Sequence, residues 1–74
     1  MPDATEQIGE HIAVEAALAV ITPAYRAPLL LYCHYGLSVA EVAAALGINE
    51  GAARTRVYRA REMFRQAYER GNAQ

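Results

Sequence analysis

The sequence contains no lysine, no tryptophan, a single cysteine and no long apolar run. One cysteine, Cys33, excludes an internal disulfide, and a free thiol favours a reducing compartment, so we expect a cytoplasmic protein. Without an apolar run of about 20 residues the chain has no membrane span. The acidic residues 1–13 also differ from a secretory signal peptide, which needs basic residues near its start.

Groups that would carry out catalysis are equally scarce. His11 and His34 lack metal-ligand spacing with Cys33, no carboxylates are paired, and no glycine-rich phosphate loop occurs. We therefore predict that the protein is not an enzyme and has no metal or cofactor. Cys33 is expected to be a small core residue. Four tyrosines are expected at the edge of the core: Tyr25, Tyr32, Tyr35 and Tyr68.

Strand signals are absent, because no stretch alternates polar and β-branched residues, whereas alanine and leucine recur at helical spacing. A chain of 74 residues can form only one core. We predict a small all-α domain of four helices over residues 14–70. Residues 1–13 would be a linker or a partly ordered segment, and residues 71–74 a frayed tail.

The start of the first helix is ambiguous. Val14, Leu18 and Ile21 share one helix face with Ala17, but Ile8 and Ile12 project well away from that face. Either the helix breaks near Glu10, or the two isoleucines pack on another surface, such as a second copy of the chain.

The second helix should begin at Thr22 and Pro23, a capping residue followed by a proline at the first helical position. Pro28 removes a backbone donor, so it should kink this helix or delay its start. The helix is expected to stop near Gly36.

The third and fourth helices have the clearest boundary signals. Ser38 and Glu41 have the spacing of a capping box, and Gly47 stands where a left-handed C-terminal residue is needed. Asn49 is a good N-cap for the next helix. Two helices joined by about three residues with glycine in the turn predict a helix-turn-helix, here with an extended C-terminal recognition helix.

Charge is divided unevenly along the chain, whose formal net charge is −1. Residues 1–50 hold six acidic residues and only Arg26, whereas residues 51–74 hold six arginines and two glutamates. This local excess of positive charge suits a polyanion such as DNA. The use of arginine alone suits bidentate contacts to phosphate and guanine, although arginine in place of lysine also follows from a GC-rich genome.

The fourth helix should bury a stripe of apolar residues and present the opposite side to a DNA groove. The stripe consists of Ala53, Val57, Ala60, Phe64 and Ala67. Thr55 and Arg59 are candidate base readers, and Arg54, Arg56 and Arg65 are candidate phosphate contacts. Glu50 and Ala52 lie at the tip of the helix, where the small residues Gly51, Ala52 and Ala53 permit close approach to DNA. Tyr58 is an exposed aromatic that could stack on a sugar.

Five segments occur in one order: TPAYRAPLLLY at 22–32, GLS at 36–38, EVA at 41–43, LGI at 46–48 and GAARTRVYRAR at 51–61. Together they resemble region four of bacterial sigma factors, particularly the extracytoplasmic-function group. The resemblance covers about residues 14–68. Its second half alone is also similar to the helix-turn-helix of response regulators.

The resemblance implies that the fourth helix recognises the −35 promoter element and that the domain docks on the β-subunit flap of core RNA polymerase. It implies DNA contacts at Arg54, Thr55 and Arg59, and a basic position at Arg56. Ala52 departs from the family, which usually has threonine there, so one polar contact should be missing. Ala53 replaces the usual valine and should loosen the packing at the turn.

The promoter-melting region of a whole sigma factor is missing, so we expect an excised domain or a shortened relative. An anti-sigma factor is a further expected partner, and the N-terminal segment could mediate self-association. The competing hypothesis is a protein-interaction module in which the acidic half docks a partner. Salt dependence and sequence selectivity of DNA binding separate the two hypotheses.

Overall fold

The computed structural model describes residues 4–72, with side chains described for residues 12–71. It confirms the all-α prediction: four α-helices are present and residues 4–72 contain no strand. The helices are α1 (Ala4–Ala19), α2 (Pro23–Leu29), α3 (Val39–Leu46) and α4 (Glu50–Asn72), with a π-helical turn at Leu30–His34 directly after α2. The predicted boundaries at Thr22, Ser38 and Asn49 are confirmed. None of the helices described is long and apolar enough to span a membrane.

Helix α1 begins at Ala4 and continues through Glu10 without a break, so of the two alternatives the break near Glu10 is wrong. The alanine-rich composition explains this continuity, because one glycine, Gly9, costs only about 1 kcal/mol in a helix. Ile12 is 61% exposed, so it does not enter the core. The side chain of Ile8 lies outside the described residues. At the other end of the chain, α4 reaches Asn72.

Helix α2 starts at Pro23. Of the two effects expected of Pro28, a kink or a delayed helix start, the delayed start is therefore wrong. The Thr22 side chain makes no capping hydrogen bond, and the Thr22 carbonyl instead accepts from the backbone amides of Tyr25 and Arg26. Pro28 is fully buried inside the helix. The irregularity follows it, where the amide of Tyr35 donates to the carbonyl of Leu30, five residues back, at 3.0 Å.

The capping box at the start of α3 is present as predicted. The Glu41 amide donates to Ser38 Oγ at 3.1 Å, and the Ser38 amide donates to Glu41 Oε1 at 2.9 Å. The Ser38 backbone amide and, to a lesser degree, the Ser38 side chain favour the ionised carboxylate by hydrogen bonding, and so lower the pKa of Glu41.

Helix α4 connects the two parts of the core. Its first half packs Ala53 and Val57 against Val42 and Ala43 of α3. Further along, Ala60 packs with Ile21 and Leu29, and the partly buried Leu18, Tyr25 and Phe64 surround this second cluster. The predicted stripe of α4 therefore faces inward, fully buried at Ala53, Val57 and Ala60 and half-buried at Phe64 and Ala67. Among the described residues, no other element covers the opposite side of α4.

Candidate nucleic-acid interface

The turn between α3 and α4 fixes the direction in which α4 leaves the core. Gly47 adopts the left-handed conformation, with φ 69° and ψ 32°. The amide of the next residue, Ile48, donates to the Ala43 carbonyl at 3.0 Å. A left-handed C-terminal glycine of this kind satisfies the last carbonyls of a helix and reverses the chain. Since α3 and α4 also share the core cluster, they form a rigid helix-turn-helix.

Local hydrogen bonds build the exposed tip of α4. Asn49 caps the helix, because its Oδ1 accepts from the Ala52 amide at 2.7 Å. Glu50 forms an ion pair with Arg54 at 3.4 Å, and both side chains are more than half exposed. Gly51 has room for a side chain, since an added Cβ would lie 3.5 Å from Asn49 Oδ1, an ordinary contact. The fold itself therefore does not require glycine at this position.

A line of outward-facing residues runs along α4 opposite the buried stripe. A helix turns about 100° per residue, so positions three and four apart fall on one side. We define the outward line as Gly51, Thr55, Tyr58 and Glu62. Thr55 is exposed and Tyr58 is 69% exposed. The line is a ridge that no other described part of the chain covers.

Arginines flank the outward line on both sides. Arg54 and Arg61, seven residues apart, lie on one side, and Arg56 and Arg59 lie on the other. Arg54, Arg59 and Arg61 are exposed, whereas Arg56 lies nearer the core and is half-buried. Among the described residues, only Arg54 of these four forms an ion pair. The first three turns of α4 therefore present positive charge along both edges of the ridge.

Arg65 is in a different environment from the other arginines. Its Nη2 donates to Glu62 Oε2 at 2.9 Å, and its Nη1 donates to Glu69 Oε1 and Oε2 at 3.1 and 3.0 Å. The hydrogen bond from Arg65, reinforced by the charge of its guanidinium, lowers the pKa of Glu62. The hydrogen bonds to Glu62 and Glu69 raise the pKa of Arg65. The guanidinium thus has carboxylates on both sides.

The residues predicted to contact DNA all lie in the exposed part of α4 or at its tip. Two of them are half-buried, Ala52 and Arg56. The others are exposed: Glu50, Gly51, Arg54, Thr55, Tyr58, Arg59 and Arg65. Arg61 was not predicted, although its spacing of seven residues from Arg54 places it on the same flank. Projecting every arginine of the helix around its axis would have found it.

Two expectations about the core are wrong. Cys33 is exposed, and Tyr35 is 67% exposed rather than at the core edge. Both follow Pro28, in or next to the π-helical turn at Leu30–His34. In a π-helical turn the backbone amide bonds to the carbonyl five residues back, so the turn holds one more residue than a turn of α-helix. The extra residue rotates the following side chains around the helix axis. The other three tyrosines, Tyr25, Tyr32 and Tyr68, are half-buried as expected.

A helix-turn-helix whose second helix exposes an arginine-flanked ridge is typical of a DNA-binding domain. Residues 11–64 match the family described as Sigma-70, region 4. This match covers well over half of the chain, and the protein belongs to that family of sigma-factor DNA-binding domains in transcription initiation. No solved structure matches the chain at a significant level.

Proposed function

We propose that this domain recognises the −35 promoter element for a sigma factor of the extracytoplasmic-function type, acting in the bacterial cytoplasm. The observation that carries the proposal is the exposed ridge of α4 with arginines on both edges. The run at 22–32 and the arginines at 59 and 61 support a sigma factor over a response regulator.

The dimensions of DNA explain why this arrangement suits a duplex. The major groove is about 12 Å wide and admits one α-helix, and its two walls carry phosphates. When the outward line enters the groove, Arg54 and Arg56 face opposite walls, and Arg59 lies closer to the outward line than Arg56 does. Thr55 and Arg59 then face the base edges, while Arg54 and Arg56 contact phosphates. Arg61 joins the phosphate contacts on the Arg54 side.

The tip of α4 completes the proposed interface. Gly51 and Ala52 allow the helix N-terminus to approach DNA closely, and free amides at a helix start favour a phosphate. Glu50 makes a single 3.4 Å contact with Arg54, which leaves the other donors of this guanidinium available to a phosphate. Tyr58 lies between the two flanks, where it can stack on a sugar.

Docking on the β-subunit flap of core RNA polymerase needs a surface that is free while α4 binds DNA. An apolar groove of about 320 Å³ lies where α1 and α2 meet α4. Val14, Leu18, Leu30 and Phe64 are among the residues that line it. Helices α1 and α2 and the π-helical turn supply six of its eight lining residues, and of the α4 residues only Arg61 is shared with the DNA-facing side, so we propose the groove as the polymerase-facing surface.

Arg59→Ala tests the assignment of base reading. If Arg59 is bidentate to a guanine, its loss should cost about 1 to 3 kcal/mol on the preferred duplex, roughly 5- to 150-fold in affinity. Discrimination at one base pair should disappear at the same time. The measurement is binding to matched and mismatched duplexes at several salt concentrations.

The matched control is Arg70→Ala, which removes the same charge in the last turn of the same helix. It should leave discrimination intact. Equal weakening of both duplexes by Arg59→Ala would make Arg59 a backbone contact, and no effect of Arg54→Ala, Arg56→Ala and Arg59→Ala would refute the proposed interface.

A further inference from the structure

Three charged residues continue along the exposed side of α4 beyond the arginine-flanked turns. Glu62 ends the outward line, and Arg65 and Glu69 follow it on the same side of the helix. Arg65 bonds to both glutamates, at 2.9 Å to Glu62 and at 3.0 and 3.1 Å to Glu69. We call these three residues the carboxylate clamp.

The carboxylate clamp reverses the sign of the charge along this side of the helix. Between residues 51 and 61 there are four arginines and no acidic residue. Within the clamp, two carboxylates confront one guanidinium, which leaves a net negative charge. A phosphate facing this part of α4 would therefore meet repulsion from two carboxylates as well as attraction from one arginine.

The effect depends on the number of charges and not on the strength of each ion pair. The side chains of Arg65, Glu62 and Glu69 are 54%, 45% and 61% exposed. Ion pairs as exposed as these contribute little to stability, about 0 to 1 kcal/mol. The ion pairs still affect DNA binding, because the charges of Arg65 and a carboxylate about 3 Å away largely cancel in the electric field that a neighbouring phosphate feels.

We propose that Glu62 and Glu69 set the C-terminal limit of the DNA-binding surface, by neutralising Arg65 and keeping the last turns of α4 off the phosphates. This inference rests on the proposed DNA-binding function. It assigns Glu62 and Glu69 as positioning residues, and it replaces the sequence-based expectation that Arg65 contacts a phosphate. The DNA-binding surface then ends with Arg61, after three turns.

Counterion release gives a direct measure of this limit. Each phosphate that a protein neutralises steepens the slope of log affinity against log salt by about 0.9. If Arg65 makes no phosphate contact, Arg65→Ala alone should leave the slope unchanged. The variant Glu62→Gln/Glu69→Gln keeps the shape of both side chains and frees Arg65. It should steepen the slope by about one and tighten binding severalfold at low salt.

The experiment is a set of salt titrations on the preferred and a scrambled duplex. It compares the wild type, Arg65→Ala, Glu62→Gln/Glu69→Gln and the triple variant that combines them. The triple variant should return to the wild-type slope, because the released arginine is then absent. Glu10→Gln/Glu15→Gln provides the matched control, since it makes the same change in net charge on α1 and should leave the slope unchanged.

Two results would overturn the inference: a loss of about one unit of slope in Arg65→Ala alone, or an unchanged slope in Glu62→Gln/Glu69→Gln. An equal steepening in the control on α1 would also refute it, because the effect would then follow net charge. Failure of the proposed function gives a different result. In that case the wild type itself would bind neither duplex with a measurable salt slope. The inference about the carboxylate clamp would then be refuted together with the proposed DNA-binding function.

Discussion

Gly51→Ala should change the stability of the free domain and its affinity for DNA in opposite directions. Gly51 lies in the first turn of α4 on the outward line. The added Cβ would meet only Asn49 Oδ1, at 3.5 Å, so the free fold accommodates it. Alanine is the better helix former, and the free energy of unfolding should rise by about 0.5 kcal/mol.

In the complex the same methyl group would lie between the helix tip and DNA. An extra methyl in a closely packed contact typically costs about 1 to 3 kcal/mol, so affinity should fall roughly 5-fold or more. Thermal melts of the free protein and titrations of the preferred duplex measure the two effects separately.

The control for this prediction is Gly71→Ala, near the other end of α4, where an added Cβ would meet nothing within 4 Å. It should leave DNA affinity unchanged. If Gly51→Ala stabilises the domain but binds DNA as tightly as the wild type, the tip of α4 does not approach the duplex and our placement of the helix is wrong.

Further predictions concern the cap, the turn, acid stability and the apolar groove. Ser38→Ala should lower the free energy of unfolding by about 1 kcal/mol through loss of the cap, while leaving the preference among duplexes unchanged. Gly47→Ala should cost about 1 kcal/mol or more for purely backbone reasons, because nothing lies within 4 Å of an added Cβ and φ is 69°. The lowered pKa of Glu41 means that its charge stabilises the fold at neutral pH and loses this effect as pH falls through that pKa. The stability difference between the wild type and Glu41→Gln, followed by denaturant titration, should therefore shrink on acidification; a constant difference would contradict it. Val14→Glu, in the groove, should weaken capture by core RNA polymerase in a pull-down while DNA binding persists, and unchanged capture would exclude the groove as the docking surface.

The boundaries of α3 and α4 could be predicted because their signals are local. Ser38 and Glu41 satisfy each other's amides within one turn, and Gly47 and Asn49 determine the turn through their own backbone and side-chain preferences. These interactions join residues within about one helical turn of each other. The buried stripe of α4 was predictable for a similar reason, since helical spacing alone assigns its face.

Other features depend on contacts that spacing does not contain. The π-helical turn follows a proline buried by tertiary packing, and the extra residue it holds turns Cys33 and Tyr35 outward. Several charged residues of α4 are spaced three or four positions apart, so spacing alone does not predict that Arg65 pairs with both Glu62 and Glu69. The continuity of α1 from Ala4 was not predictable, because Ile8 and Ile12 do not share the helix face of Val14 and Leu18.

Selection from a pool of random duplexes, using the folded wild-type domain at near-physiological salt, tests most directly whether α4 reads DNA sequence. We predict enrichment of one short motif, with Arg59→Ala relaxing the preference at one base pair within it. Recovery of no common motif by a domain that melts cooperatively would contradict sequence-specific recognition and favour the protein-interaction module instead.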